Sequence, residues 1–250
     1  MKRLLQFIAG LGLAVSLTAA TTEELMQQAQ TAEAALNSAR ALELYLQADQ
    51  TKPDDALILQ KIARQYSDLV LEQTSDEAKQ RHAQTALDYS LRAVALNPRD
   101  PVNVLSLAVS HGKLAIYSDT KTKIKYSRLV KEEAERALAL DPNYAWAHHV
   151  LGRWHYEVAS LGATTRMLVR IIYGGLPKAS HEQAIVHLRR AVELEPEELN
   201  HHLELGFAYA AAGEKPEALA SWNKGLQLAS RGKHDEPAKQ RARAAAELLR

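Results

Sequence analysis

Residues 205–225 read Leu-Gly-Phe-Ala-Tyr-Ala-Ala-Ala-Gly-Glu-Lys-Pro-Glu-Ala-Leu-Ala-Ser-Trp-Asn-Lys-Gly. Leu205, Gly206 and Tyr209 share one face of a helix, Gly213 interrupts the run, and Ala218, Trp222 and Gly225 share one face of a second helix. Gly206 and Ala218 stand 12 residues apart, and a small residue on each of two consecutive helices lets their backbones approach closely. The frame extends upstream. Gln28-Ala29-x2-Ala32, Ile62-Ala63-x2-Tyr66, Leu107-Ala108-x2-His111 and Leu151-Gly152-x2-His155 repeat the first helix. The second helix recurs with a stop of its own, an alanine followed after four intervening residues by proline: Ala48 to Pro53, Ala93 to Pro98, Ala137 to Pro142 and Ala191 to Pro196. Proline ends a helix because it lacks an amide hydrogen and clashes with the preceding turn. Seven residues before each of those alanines stand Ala41, Ala86, Val130 and Ala184, on the same face.

This pattern resembles the tetratricopeptide repeat, Leu-Gly-x2-Tyr followed by Ala-x3-Phe. The resemblance implies an all-α solenoid of helix pairs with about five repeats, over about 22–55, 56–100, 101–144, 145–198 and 199–232, and a capping helix over about 235–250. The two small positions are 12 residues apart in the first and last repeats but 23, 22 and 32 apart in the middle three. Residues 73–82 are polar and predict a longer helix or turn in solvent. Residues 117–128, with Lys121, Lys123, Lys125 and Arg128, predict a basic extension of the following helix. The third insertion, 159–180, predicts an apolar helix from about Thr165 to Tyr173, stopped by Gly174-Gly175.

Leu151-Gly152-Arg153-Trp154-His155-Tyr156, the Arg-studded apolar helix, Tyr173-Gly-Gly-Leu-Pro177 and Ser180 together resemble the regulator of microtubule dynamics family, from about Asp54 to the C-terminus. Its eukaryotic members are tetratricopeptide proteins associated with microtubules or organelle membranes, so the resemblance implies a non-enzymatic interaction module. This chain instead opens with a positive Met1-Lys2-Arg3, an apolar Leu4–Leu17 stretch and small residues Thr18-Ala19-Ala20. That is the form of a cleaved secretory signal peptide over 1–20, since about 14 apolar residues fall short of the roughly 20 that span a bilayer. The expected location is the periplasm, as an exported bacterial relative, and tubulin is not carried over as a partner.

Composition narrows function further. The 250 residues are 46% hydrophobic and 24% charged, with a net charge of +1 that becomes −1 without Lys2 and Arg3. That balance disfavours nucleic acid as a partner. The absence of cysteine removes disulfides, thiolate metal sites and thiol catalysis. No P-loop, dinucleotide fingerprint or Gly-x-Ser-x-Gly elbow is present, so no enzyme and no cofactor is expected. Ten histidines invite a metal, but His181-Glu182 is followed by Ile185 where a His-Glu-x-x-His site needs its second histidine, and none is assigned. His111 and His155 stand where the repeat usually carries tyrosine and are expected in the core.

The expected function is a scaffold binding a protein or peptide on the concave surface formed by first helices. The second repeat offers Leu57, Gln60, Arg64, Ser67 and Asp68 there, and the fourth Trp146, His149, Arg153, Tyr156 and Glu157. Arg64, Trp146, His149, Arg153 and Tyr156 are the anchors chosen, arginine to fork onto a carboxylate and the rings to cover apolar side chains. The opposing reading packs Trp146 and Tyr156 beneath the long insertion and pairs Arg153 with Glu157. In the third and fifth repeats the same positions are apolar: Val102, Leu105 and Val109, then Leu203, Phe207, Ala210 and Ala211. Leu105, Val109, Leu203 and Phe207 would suit a lipid or other apolar ligand, unless the insertion or the closing helix covers them. Basic patches at 113–131 and in the tail suit an anionic membrane surface or an acidic partner, or else form solvated helix faces.

Overall fold

The computed structural model describes residues 20–249, so the expected signal peptide, Ala20 excepted, lies outside the described residues. Five antiparallel helix pairs follow one another. They are α1 (Thr22–Ala34) with α2 (Ser38–Thr51), α3 (Ala56–Leu69) with α4 (Asp76–Leu96), and α5 (Pro101–Ile116) with α6 (Thr120–Leu140). Next come α7 (Ala145–Ala159) with α9 (His181–Leu194), interrupted by α8 (Ala163–Tyr173), and α10 (Leu199–Ala212) with α11 (Lys215–Gln227). The last helix, α12 (Asp235–Leu249), packs on α10 and α11. First helices of successive pairs touch from α3 onward: α3 with α5, α5 with α7, α7 with α10 and α10 with α12. The result is a tetratricopeptide solenoid, with the first helices forming the concave side.

The recurring alanine has two jobs. Ala48, Ala93, Ala137 and Ala191 are fully buried, and each carbonyl accepts the final N–H of its helix, from Lys52, Asn97, Asp141 and Glu195 at 2.9–3.0 Å. Proline follows that donor directly, so the helix cannot continue. The next helix starts on a side-chain cap: Asp55, Asp100 and Glu198 accept amides of the first turn of α3, α5 and α10.

Small residues set the distance within each pair. A Cβ on Gly152 would lie 2.7 Å from Leu188 Cγ and 3.1 Å from the Ala184 carbonyl, and one on Gly206 would overlap the Trp222 indole. Trp222 is itself held by its Nε1–H donating to the Leu203 carbonyl at 3.0 Å. The third pair solves the problem differently. Val130 is bulkier than its counterparts and meets Gly112, whose Cβ would stand 3.8 Å from Val130 Cγ2.

The first two insertions lengthen second helices rather than forming separate units. After a 3-10 turn over Val70–Glu72, α4 begins at Asp76, and α4 and α6 each reach 21 residues. Their added turns bury Ala83 beside Val70, Leu107 and Leu114, with Tyr117 and Tyr126 against them. The third insertion is the separate helix α8, closed by Gly174 at φ +76°, a left-handed position that favours glycine.

Gly206→Ala should lower stability by about 1–3 kcal/mol, because the new methyl must displace a buried indole. Gly112→Ala should be neutral or raise stability by up to about 1 kcal/mol, since it removes a mid-helix glycine without a clash. Urea midpoints of the two variants check the opposed signs.

Candidate functional site

The expected anchors divide into exposed and buried sets. Arg64 on α3 and Arg153 on α7 each follow the small residue of their helix and open onto the concave side. Arg64 Nε stands 4.0 Å from Asp68, and Arg153 Nε donates to Glu157 at 2.9 Å. Val109, the equivalent residue of α5, keeps 39% of its surface and lies between them in the repeat order. Lys113, one turn further along α5, lies near both Asp68 and Arg153. Burial, with Arg153 beside it, holds the Lys113 ammonium below the usual lysine value against the pull of Asp68.

His149 is not available as an anchor. It is buried between Trp146 and His201, with its Nδ1 3.0 Å from His201 Nδ1. Trp146 is half-buried, its ring 4.8 Å edge-on from His201, and it packs against the Leu105 cluster. Tyr156 is half-buried against Leu188 and Leu205. These rings form the floor where α7 meets α10 rather than free contact points. Gln60 and Ser67 of the second repeat are likewise buried.

The apolar residues expected for a ligand are largely spent on packing. Leu105 is buried under α7 with Ala147 and Leu151, and Leu203 is buried with Ala242 and Ala246 of α12. Phe207 meets Trp222 edge-on, and the Arg241 guanidinium sits 4.2 Å above its ring. Of the four, only Val109 remains exposed. The closing helix therefore covers the fifth repeat, as apolar surface demands.

Three further features shape the groove. Buried Glu204 accepts from Arg241 and lies 3.9 Å from Arg153, so one carboxylate ties α10 to α12 and faces α7. The segment before α12 also reaches back to the second repeat: Lys233 pairs with Glu72, and His234 Nε2 lies 3.4 Å from Asp68. Asp235 anchors that segment, accepting from the Arg231 and Gly232 amides at 2.8 and 2.6 Å and from Asn200 at 2.9 Å. Glu204, an acid within an apolar helix, was a visible irregularity. Its partner 37 residues away, and the 231–235 bridge, carry no local sequence signal.

Other histidines also pair. His148 donates from Nε2 to the Pro142 carbonyl at 3.0 Å, which leaves its Nδ1 to accept from His187 at 3.0 Å. His202 repeats the first bond with Pro196 at 2.8 Å.

The model for the Regulator of microtubule dynamics protein 1-3 family matches residues 21–250. The chain belongs to this family. It is 29% identical over 231 residues to regulator of microtubule dynamics protein 1 of Bos taurus, covering 91% of this chain and 71% of that one. It is 27% identical over 161 residues to the Caenorhabditis elegans protein of that name, covering 64% and 71%. Among solved structures, a thermophilic TPR protein of Thermus thermophilus superposes with a TM-score of 0.66 at 22% identity, covering 91% of this chain and 100% of that one. In this regulator of microtubule dynamics family member, Arg64, Val109 and Arg153 are thus exposed at the same position of three successive first helices, with Lys113 near Asp68 and Arg153.

The buried His149–His201 pair predicts acid sensitivity. Burial, reinforced by Arg153 and Arg241, lowers His149 to about 3, and burial with His149 nearby lowers His201 to about 2. A histidine whose folded-state value lies below its unfolded value of about 6.5 contributes stability above that pH and loses it as the pH falls. Thermal midpoints should therefore hold steady above about pH 6.5 and drop toward about pH 4.5, with a shallower drop in the His149→Gln/His201→Gln variant. An identical slope in the two proteins would overturn the assignment to this pair.

Proposed function

We propose that the protein is a non-enzymatic scaffold that holds an extended segment of a protein partner against α3, α5 and α7. The observation carrying this reading is the row Arg64, Val109 and Arg153, the residue after the small position on three successive first helices. Leu57 and Val102 add exposed apolar surface beside it, and Lys113 adds a third cation. Such a row suits a segment in which acidic and apolar side chains alternate: guanidinium groups fork onto carboxylates while aliphatic side chains share Val109 and Val102. Arg64 is paired with Asp68 of its own helix and Arg153 with Glu157 of its own, surface pairs worth at most about 1 kcal/mol, so a partner carboxylate can replace those two at little cost while Arg153 keeps facing Glu204. The covered fifth repeat, where Arg241 and α12 occupy Phe207 and Glu204, supports a binding stretch confined to the earlier repeats. Export to the periplasm remains part of the proposal, supported by the positive, then apolar, opening of the chain.

Selection of random peptides on the immobilised protein tests it. Acidic-apolar sequences should be enriched, and Arg64→Glu/Arg153→Glu should abolish that enrichment while the circular-dichroism spectrum stays helical, the melt falling only because carboxylates at 64 and 153 would then face Asp68, Glu157 and Glu204. No enrichment, or enrichment indifferent to the double reversal, overturns the reading.

A further inference from the structure

The helix α8 is amphipathic but turned the wrong way for a soluble solenoid. At about 100° per residue, Met167, Leu168, Ile171 and Ile172 fall within a sector of about 140°. Those four side chains are between 52% and 68% exposed, while Val169, outside that sector, is the buried one. Among the described helices, α8 touches only α6. Its ends are nevertheless fastened. Arg166 donates to the Ala159 carbonyl at 2.9 Å, and Arg128 of α6 donates to the Tyr173 and Gly175 carbonyls at 2.6 and 2.5 Å. The apolar face is therefore presented outward by a helix held at both termini.

Charge identifies what the face fits. Between Glu157 and Glu182 the chain has no acidic residue but carries Arg166, Arg170 and Lys178. On α6, Lys125 and Lys121 continue the face of Arg128 at about 4.5 and 10.5 Å along the axis, and both are exposed. A second copy of the same helix would bring cation against cation. An apolar interior bounded by anions meets both requirements. Among the described residues no helix is long and apolar enough to cross a membrane, and the 11 residues of α8 span about 16 Å against a hydrocarbon core of about 30 Å.

We infer that α8 is a peripheral docking element for an anionic lipid surface, lying in the interface plane with Met167, Leu168, Ile171 and Ile172 among the acyl chains and the cations of α8 and α6 at the headgroups. This face is distinct from the concave groove, and the inference stands independently of the peptide reading.

Because the chain has no cysteine, a single one can be placed and labelled in the full protein. An environment-sensitive nitrobenzoxadiazole on Met167→Cys should gain fluorescence several-fold with vesicles of equal parts phosphatidylglycerol and phosphatidylcholine. The gain should be absent with phosphatidylcholine alone, fall as salt rises, and be lost on adding Ile171→Glu or strongly reduced by Arg170→Glu. The same label on Asn223→Cys, exposed on α11, should not respond, which separates α8 from anchoring by any other part of the chain. No response at Met167→Cys, an equal response at Asn223→Cys, or indifference to Ile171→Glu overturns the inference. A gain that follows protein concentration without vesicles would assign the face to a second copy and also overturn it. Retained peptide selection by the Ile171→Glu variant would keep the result separate from the groove.

Discussion

Two helices approach closely only where at least one of them carries little or no side chain at their crossing, and this solenoid is assembled from that constraint. Gly152 against Leu188 and Gly206 against Trp222 leave no room for even a methyl group. Ala63 and Ala86 are buried to a similar degree in the second pair. The pairs then stack so that their first helices form a continuous surface, and the stacking is what brings Arg64, Val109 and Arg153 into one row. A shift in any one pair would tilt the next and break that alignment, since each pair contacts its neighbours directly.

The polar interior follows from the same stacking. The histidines at 149 and 201 share one hydrogen bond in a site too dry to hold a charge. Glu204, also buried, is compensated by Arg241 of the closing helix and faces Arg153 across the groove. That helix covers apolar surface and balances a buried carboxylate at once, and the Arg231–Asp235 segment leading into it joins the fifth repeat to the second. By contrast, α8 buries little and turns Met167, Leu168, Ile171 and Ile172 outward.

Much of the fold was legible because its signals are local. Proline two residues beyond the last helical residue ends a helix whatever its surroundings, and a small residue at fixed spacing marks a crossing. The α8 helix begins at Ala163 rather than Thr165, a difference confined to its first turn, where Gly162 supplies no side-chain cap. The candidate site was legible only in part. Arg64 and Arg153 are exposed on their first helices, yet the spacing that selected them also selected His149, Leu105 and Leu203, which neighbouring helices bury. Periodicity gives the direction in which a side chain points along its own helix, and is silent on what stands opposite.

The sequence by itself determined the class, the repeat and the helix stops, because these arise from interactions within some forty residues: backbone hydrogen bonds, proline sterics and crossings between consecutive helices. Only the tertiary structure decided which part of the concave face is open. That outcome depends on α12 folding back over Leu203 and Phe207, on Arg241 meeting Glu204, and on Lys233 reaching Glu72. Those contacts join residues far apart along the chain, and their free energy depends on the superhelical path summed over all the pairs, a quantity that no single repeat encodes.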